Sequence, residues 1–94
     1  MIYLVSVFRE GDLSKYRTWG YFFDQTTAME MVKGNITDIF EFGYYDIGVV
    51  VPCEEGLMSG TSYENVLFYR YDPKTEQVSE IVPTKSMRYV FYGL

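Results

Sequence analysis

Histidine is absent from this chain of 94 residues, and Cys53 is the only cysteine. Histidine is the commonest general base and a frequent metal ligand, so its absence makes an enzyme the least favoured class of function. Glu54 and Glu55 follow Cys53, and their negative charge raises the pKa of a neighbouring thiol, which disfavours a catalytic thiolate. A single cysteine forms no internal disulfide, so the cytoplasm, a reducing compartment, is the expected location. We therefore predict a protein without catalytic residues.

Clustered basic residues and long apolar runs are also missing. The 13 acidic and eight basic residues are scattered, and the net charge is −5. Because binding to duplex nucleic acid needs grouped Lys and Arg, duplex nucleic acid is not an expected partner. The apolar first ten residues lack a basic start and a cleavage site and are too short to cross a bilayer, so no membrane partner is expected.

Metal and cofactor sites have weak support in the sequence. Asp38, Glu41 and Asp46 could supply oxygen ligands to a divalent ion, because a helical turn would place the first two on one face. Nothing resembles a calcium-binding loop, however, and the glycines form no phosphate-binding loop. The sequence favours a solvated acidic edge, with no metal and no cofactor.

Aromatic side chains are the abundant feature: ten Tyr, seven Phe and one Trp make up 19% of the chain. A chain of this length forms one domain, residues 1–94, and buries only about 60 to 65% of the surface that its unfolded form exposes. Rings that bury about 150 to 250 Å² each stabilise such a small core, but aromatic residues are also common at binding surfaces. The rings therefore belong either to core packing or to a site.

The pattern of apolar residues predicts an α+β fold, an antiparallel sheet of about five to six strands with one main helix in the order β-β-α-β-β-β-β. The predicted strands cover residues 2–8, 16–23, 44–52, 63–71, 77–82 and 87–92. Asp24 or Thr26 caps a helix that runs to about Lys33, and residues 37–43 form one further helical turn. The first strand is apolar on both faces, which predicts a central position in the sheet.

The second strand contains the stretch RTWGYFF, which raises the question of what its rings contact. Simple alternation places Arg17, Trp19 and Tyr21 on one side of the strand. A positive charge is unusual at the centre of a core, so we predict that this side is partly open. Gly20 lies between the rings, and a glycine inside a strand predicts the close approach of a neighbouring group.

The predicted helix is small for the predicted sheet. A helix of about ten residues is about 15 Å long, whereas the sheet would be about 20 to 25 Å wide. The sheet would then expose a large apolar surface, which monomers rarely tolerate. We therefore predict a homo-oligomer, with a dimer as the expected form.

Several arginines are next to an aromatic ring in the sequence, or one residue away from it. Aromatic platforms stack bases for about 1 to 3 kcal/mol each, and arginine makes bidentate contacts with phosphate. Alternatively, the rings form cross-strand pairs and the arginines lie on solvated strand edges. The candidate ligand-binding residues are Arg17, Trp19, Tyr21, Tyr44, Tyr45, Arg70 and Arg88.

The motif RTWGYF at residues 17–22, together with DIFE at 38–41 and GYY at 43–45, resembles a group of small proteins from phages and mobile elements of Gram-positive bacteria. The resemblance covers roughly residues 1–58 and transfers no catalytic residue. It implies a setting in the host cell cytoplasm, where many small phage proteins neutralise host defence.

Two hypotheses of function follow from the rings, the arginines and this setting. In the first, the protein is a non-catalytic sponge that sequesters a nucleotide-derived signalling molecule. In the second, it is an inhibitor that docks on a host defence protein, as an anti-CRISPR-like blocker does, through an edge strand or an aromatic face. Retention of a small molecule would favour the first, and a stable complex with a host protein would favour the second.

Overall fold

Strands and a helix account for most of the described residues of the computed structural model, which are residues 1–53, 65–85 and 87. The elements are β1 (Ile2–Arg9), β2 (Asp12–Phe22), α1 (Gln25–Lys33), β3 (Ile47–Cys53), β4 (Leu67–Asp72) and β5 (Gln77–Ile81). The five strands form one antiparallel sheet in the spatial order β2-β1-β3-β4-β5, with α1 against it, so the predicted α+β fold is confirmed. The sixth predicted strand lies outside the described residues apart from its first residue. Within these ranges, no helix has the length and apolar character that crossing a membrane requires.

Three strands begin at different residues from those predicted, and one of them, β4, begins at Leu67 rather than at residue 63. β2 begins at Asp12 rather than at residue 16, because a tight turn at Gly11, whose φ is +85°, lets the strand start at once. β3 begins at Ile47 rather than at residue 44. Tyr44 ends a 3₁₀ turn, and the carboxylate of Asp46 accepts a hydrogen bond from the β1–β2 turn at 2.8 Å. The strand begins only after these contacts, although the backbone of Asp46 already bonds to Phe8 and to Tyr71 of the neighbouring strands.

The first strand lies inside the sheet, but the middle position predicted for it belongs to β3. β1 pairs with β2 on one side and with β3 on the other. Its side chains divide between two buried clusters, because Val5 and Val7 pack on the side of α1 and Phe8 packs on the opposite side.

Two apolar clusters, one on each face of the sheet, form the core. The helix-side cluster consists of Val5, Val7, Ala28, Val32, Ile39, Phe40, Tyr45, Val50, Tyr69 and Tyr71. The opposite cluster consists of Phe8, Ile47, Val49, Val51, Cys53, Val66, Phe68 and Met87. The chain therefore buries both faces of its central strands by itself. From the sequence we expect one short helix to leave a large apolar surface of the sheet exposed, and these inner strands do not expose one.

The helix begins and ends as its capping residues predict. The carboxylate of Asp24 accepts a hydrogen bond from the backbone N–H of Thr27 at 2.9 Å, and Gly34 follows the last residue of α1. Ala28 and Val32 are fully buried on the face that α1 turns toward the sheet. The short helix is thus fixed by one cap and by one apolar stripe.

A close approach to a strand glycine does occur, but at Gly48 rather than at Gly20. A Cβ atom on Gly48 would lie 2.8 Å from the Phe40 ring and 2.9 Å from Val32. No described atom lies within 4 Å of a Cβ built on Gly20, because β2 is an edge strand. The prediction for Gly20 is therefore wrong for the single chain, and Gly48 is the position where α1 and the following segment pack onto the sheet.

The segment 35–43 replaces the predicted helical turn with the 3₁₀ turns Ile36–Asp38 and Glu41–Gly43. Side-chain oxygens take the place of helical acceptors. Asn35 accepts from the backbone N–H of Phe40 at 3.1 Å, and Asp38 accepts from that of Phe42 at 3.2 Å. Such local bonds compete with helix formation. The φ angle is positive at Asn35, Thr37, Asp38, Glu41, Phe42 and Gly43.

Candidate binding site

A β-bulge at Trp19 interrupts the alternation of side chains along β2. Val5 of β1 lies opposite Gly20. The next residue of β1, Ser6, lies opposite Thr18. Trp19 is therefore the extra residue on the bulged strand, and every side chain beyond it changes face relative to simple alternation.

The bulge separates Tyr21 from the other predicted site residues on this strand. Arg17 lies opposite Val7, which packs on the helix side, and the half-buried Trp19 packs against the same cluster. Tyr21 lies opposite Leu4, which packs against the other cluster. The prediction that these three side chains share one side is therefore wrong for Tyr21. A single sequence gives no sign of the extra residue, because alternation alone assumes a regular strand.

Arg17 and Trp19 form a cation–ring pair. The guanidinium carbon of Arg17 lies 4.6 Å from the ring centroid of Trp19. One N–H of Arg17 also donates to the carboxylate of Glu41 at 3.3 Å. The indole N–H of Trp19 donates to the carbonyl oxygen of Ile39 at 3.1 Å, which fixes the ring on the 35–43 segment. The charge of Arg17 is thus held over a ring that is itself held in place.

The Tyr44 ring contacts two cations, one from each strand of the β1–β2 hairpin. Nζ of Lys15 lies 5.0 Å from the Tyr44 centroid, and Cζ of Arg9 lies 5.1 Å from it. Lys15 donates to the Tyr44 hydroxyl at 3.1 Å, and Arg9 donates to the Tyr44 carbonyl oxygen at 2.9 Å. The contact with Tyr44 raises the pKa of Lys15 above its ordinary value, so this lysine is charged at neutral pH.

Glu41 connects the Arg17–Trp19 pair to Tyr44. Its carboxylate accepts from Arg17, and its carbonyl oxygen accepts from the backbone N–H of Tyr44 at 3.0 Å. Three cations and two rings therefore gather at one corner of the sheet. We call this group, which consists of Arg9, Lys15, Arg17, Trp19 and Tyr44, the cation–aromatic cluster.

The remaining predicted residues lie elsewhere. Tyr45 is buried in the helix-side core, where its ring meets that of Tyr44 edge to face at 4.9 Å. Arg70 lies opposite Ile47 on the other face of the sheet and forms an ion pair with Glu10. Arg88 lies outside the described residues. The cluster thus brings together Arg17, Trp19 and Tyr44, three of the predicted set.

Phe42 is the most exposed aromatic residue beside the cluster, and its backbone is left-handed. Its side chain is 88% exposed, and its φ is +57°. Bulky residues rarely adopt this conformation, which costs about 1 to 2 kcal/mol relative to right-handed backbone. A side chain that exposed gains almost nothing from packing, so burial does not offset the strain. The backbone N–H of Phe42 donates a hydrogen bond to the carboxylate of Asp38. This bond stabilises the turn, which keeps the Phe42 ring in solvent directly after Glu41.

Sequence reasoning missed Arg9, Lys15 and Phe42. Lys15 could have been predicted, because it precedes Arg17 by two residues and alternation places both side chains on the same face of the strand. Arg9 and Phe42 join the site only through the turns of the 35–43 segment. Nothing in a helical pattern predicts those turns, since they depend on side-chain acceptors and on left-handed backbone.

The acidic residues that could have bound a divalent ion have separate contacts. Asp38 accepts hydrogen bonds within its own turn, Glu41 pairs with Arg17, and Asp46 accepts from the β1–β2 turn. Among the described residues, no group of three His, Cys, Asp or Glu side chains is placed to hold a metal ion.

Cys53 lies in the opposite core cluster, away from the cation–aromatic cluster. Burial raises the pKa of its thiol. The direction agrees with the sequence argument, and the cause found among the described residues is desolvation, since Glu54 and Glu55 lie outside them. A buried and protonated thiol packs as a small apolar group.

Comparisons of the chain with protein-family models, with curated proteins and with solved structures gave no match. Function is therefore inferred from the geometry of the site.

Proposed function

We propose that the protein is a non-catalytic binding protein that sequesters a small anionic nucleotide at the cation–aromatic cluster, with Phe42 as an additional stacking surface. The observation that carries the proposal is the strained and exposed Phe42, which directly follows Glu41, the ion-pair partner of Arg17 in the cluster. Strained backbone that packing does not compensate is typical of ligand-binding positions. Rings and cations side by side match the two parts of a nucleotide, a planar base and a phosphate.

The cations of the cluster retain capacity for a phosphate. A guanidinium has five N–H donors, and Arg17 uses one of them on Glu41 while its side chain remains 53% exposed. Lys15 is held in the charged form by Tyr44. A phosphate that contacts both would receive charge-assisted hydrogen bonds, which contribute about 1.5 to 3 kcal/mol each.

The rings provide platforms for the base. Phe42 is almost fully exposed, and Tyr44 is 43% exposed. One face of the Trp19 ring already carries Arg17, so Trp19 contributes chiefly by holding that cation in place. Stacking on one platform contributes about 1 to 3 kcal/mol.

The overall charge limits how such a ligand is captured. A net charge of −5 repels anions at long range, so affinity must come from short contacts within the cluster rather than from steering. A sponge needs only tight binding without turnover, which suits a site that lacks histidine. The resemblance to phage proteins suggests a signal of host defence as the nucleotide.

Isothermal titration calorimetry tests this function. Mono-, di- and cyclic nucleotides and ADP-ribose derivatives are titrated into the wild type, with inorganic phosphate and a nucleoside as partial ligands. At least one nucleotide should bind, and both partial ligands should bind much more weakly. Arg17→Ala should then weaken binding by about 1.5 to 3 kcal/mol.

Lys74→Ala is the matched control, because Lys74 is an exposed cation in the turn between β4 and β5. It should bind like the wild type. Absence of heat from every nucleotide, or equal affinity for wild type and Arg17→Ala, would overturn the proposal. A stable complex with a host protein in that case would favour the alternative, an inhibitor that docks on a defence effector.

A further inference from the structure

A second exposed aromatic group lies at the other end of β2, away from the cation–aromatic cluster. Tyr21 is 59% exposed and Phe23 is 78% exposed, and their rings meet edge to face at 5.8 Å. Tyr21 lies opposite Leu4 on the face of the sheet that α1 does not cover. We call Tyr21 and Phe23 the β2-end patch.

The patch lies on an edge of the sheet. β2 is the first strand in the spatial order, and no described strand pairs with its outer side. An edge strand presents a row of backbone N–H and C=O groups that can pair with another strand. β5 is the opposite edge, but it has only five residues, which are mostly exposed and polar.

The charges on β2 decide which half of the edge can pair with an identical strand. The first half carries Asp12, Lys15 and Arg17, whereas residues 18–23 carry no charged side chain. In a two-fold antiparallel pair each residue faces its symmetry mate or a near neighbour, and facing like charges destabilise the pair. Pairing centred on Tyr21 places residues 19–23 of one copy opposite residues 23–19 of the other, so only uncharged side chains face one another and Lys15 and Arg17 lie outside the overlap.

The size of the patch requires backbone pairing in addition to ring contacts. Buried fully, the exposed parts of Tyr21 and Phe23 would remove about 200 to 350 Å² per copy, given about 150 to 250 Å² for an aromatic residue. Two copies give about 400 to 700 Å², whereas a specific interface needs about 1,000 Å². Ring contacts alone are therefore too small, and the pairing of the two edge strands must supply the remaining area.

We propose that two copies of the chain associate by antiparallel pairing of their β2 edges, centred near Tyr21, so that the two sheets become continuous. In this register the two Tyr21 side chains lie opposite each other on the face without the helix, and each Phe23 lies beside the pair. The occupant of the β2-end patch is therefore a second copy of the chain. Arg9, Lys15, Arg17 and Tyr44 of the cation–aromatic cluster lie outside the overlap, and Trp19, which lies within it, packs against the helix-side core. The proposal therefore does not depend on nucleotide binding.

Light scattering and analytical ultracentrifugation at 1 to 500 µM test this association. The wild type should have twice the 11.0 kDa mass of one chain at the upper concentrations. Tyr21→Asp and Phe23→Asp should each raise the dimer dissociation constant at least tenfold, and circular dichroism should show that both variants are folded. Val82→Asp is the control, because Val82 is 84% exposed beyond β5 at the opposite edge, and it should leave the dimer intact.

A mixing experiment tests the register. Tyr21→Asp and Tyr21→Lys should each be monomeric alone, because like charges face each other across the axis, and an equimolar mixture should form the heterodimer. A wild type of 11.0 kDa at every concentration, dissociation of the dimer by Val82→Asp, or a monomeric mixture would overturn the proposal.

Discussion

The guanidinium of Arg17 lies over the ring of Trp19 at 4.6 Å, and this contact joins the surface to the core. Trp19 packs against the helix-side cluster and donates its N–H to the carbonyl oxygen of Ile39. Arg17, by contrast, is exposed and pairs with Glu41. One side chain of the pair therefore belongs to the fold, and the other is available to a ligand.

The first prediction compares how much each of these two side chains contributes to the free energy of unfolding. Arg17→Ala should lower the free energy of unfolding by about 1 kcal/mol or less, since exposed ion pairs and exposed cation–π contacts each contribute at most about that much. Trp19→Ala should lower it by about 2 to 3 kcal/mol, because the half-buried ring and its hydrogen bond are both lost. Urea denaturation of the two variants measures the difference. Equal losses would contradict this division of roles.

The second prediction concerns the strained turn at Phe42. Phe42→Gly should raise the free energy of unfolding by about 0.5 to 1 kcal/mol, because glycine adopts positive φ without penalty and the exposed ring contributes little packing. The same change should weaken nucleotide binding through loss of a platform.

Phe42→Ala is the control for this pair of effects. It removes the ring but keeps a Cβ atom at positive φ, so it should weaken binding without the gain in stability. Thermal denaturation and calorimetry of both variants provide the comparison. If Phe42→Gly destabilised the protein, the ring would have to contribute to folding, and the functional explanation of the strain would fail.

The third prediction concerns the packing of α1 on the sheet. Gly48→Ala should lower stability by about 1 to 3 kcal/mol, because its Cβ would lie under 3.0 Å from both Phe40 and Val32. Gly20→Ala, also in a strand, should change stability by less than about 0.5 kcal/mol, since the added atom meets nothing within 4 Å. Chemical denaturation of both variants measures this contrast. Comparable losses at both positions would mean that β2 packs against more than the single chain provides.

The architecture was more accessible to sequence reasoning than the site. Alternation and capping residues predicted that β1 lies inside the sheet, that Asp24 caps the helix and that the fold is α+β. Each of these features depends on neighbours a few residues apart. The bulge at Trp19 depends on the pairing register, and the turns around Phe42 depend on side-chain acceptors. One amino-acid sequence does not reveal either of them. For this reason the predicted group kept Tyr21 and omitted Arg9 and Phe42.

The fourth prediction concerns the buried hydroxyl of Tyr69, which has no hydrogen-bond partner among the described residues. Burial, and then the charge of Glu80, raise the pKa of Tyr69 above 10.0. The unfolded chain therefore loses this proton at a lower pH than the folded chain, and stability falls as the pH rises above about 10.

Tyr69→Phe removes both the unpaired hydroxyl and this titration. At pH 7 the variant should match the wild type or exceed it by up to about 1 kcal/mol, and its advantage should grow above pH 10. Urea denaturation at both pH values measures the two effects. A variant that is less stable than the wild type at pH 7 would show that the hydroxyl makes a stabilising contact.

The fifth prediction concerns ionic strength. Nucleotide affinity should fall only mildly between low and physiological salt, because the contacts are short and the protein as a whole repels anions. Binding of a nucleic acid strand through counterion release would fall steeply over the same range. Calorimetry at two salt concentrations distinguishes the two modes, and a steep loss would contradict a compact site.

Trp19 is the only tryptophan, so its fluorescence reports directly on the cation–aromatic cluster. The decisive measurement is a titration of the nucleotide panel into the protein, excited where tryptophan alone absorbs. We predict a saturable change in Trp19 emission with at least one nucleotide, at higher ligand concentrations for Arg17→Ala and at unchanged concentrations for Lys74→Ala. No change with any nucleotide, or the same titration curve for wild type and Arg17→Ala, would contradict nucleotide binding at this site.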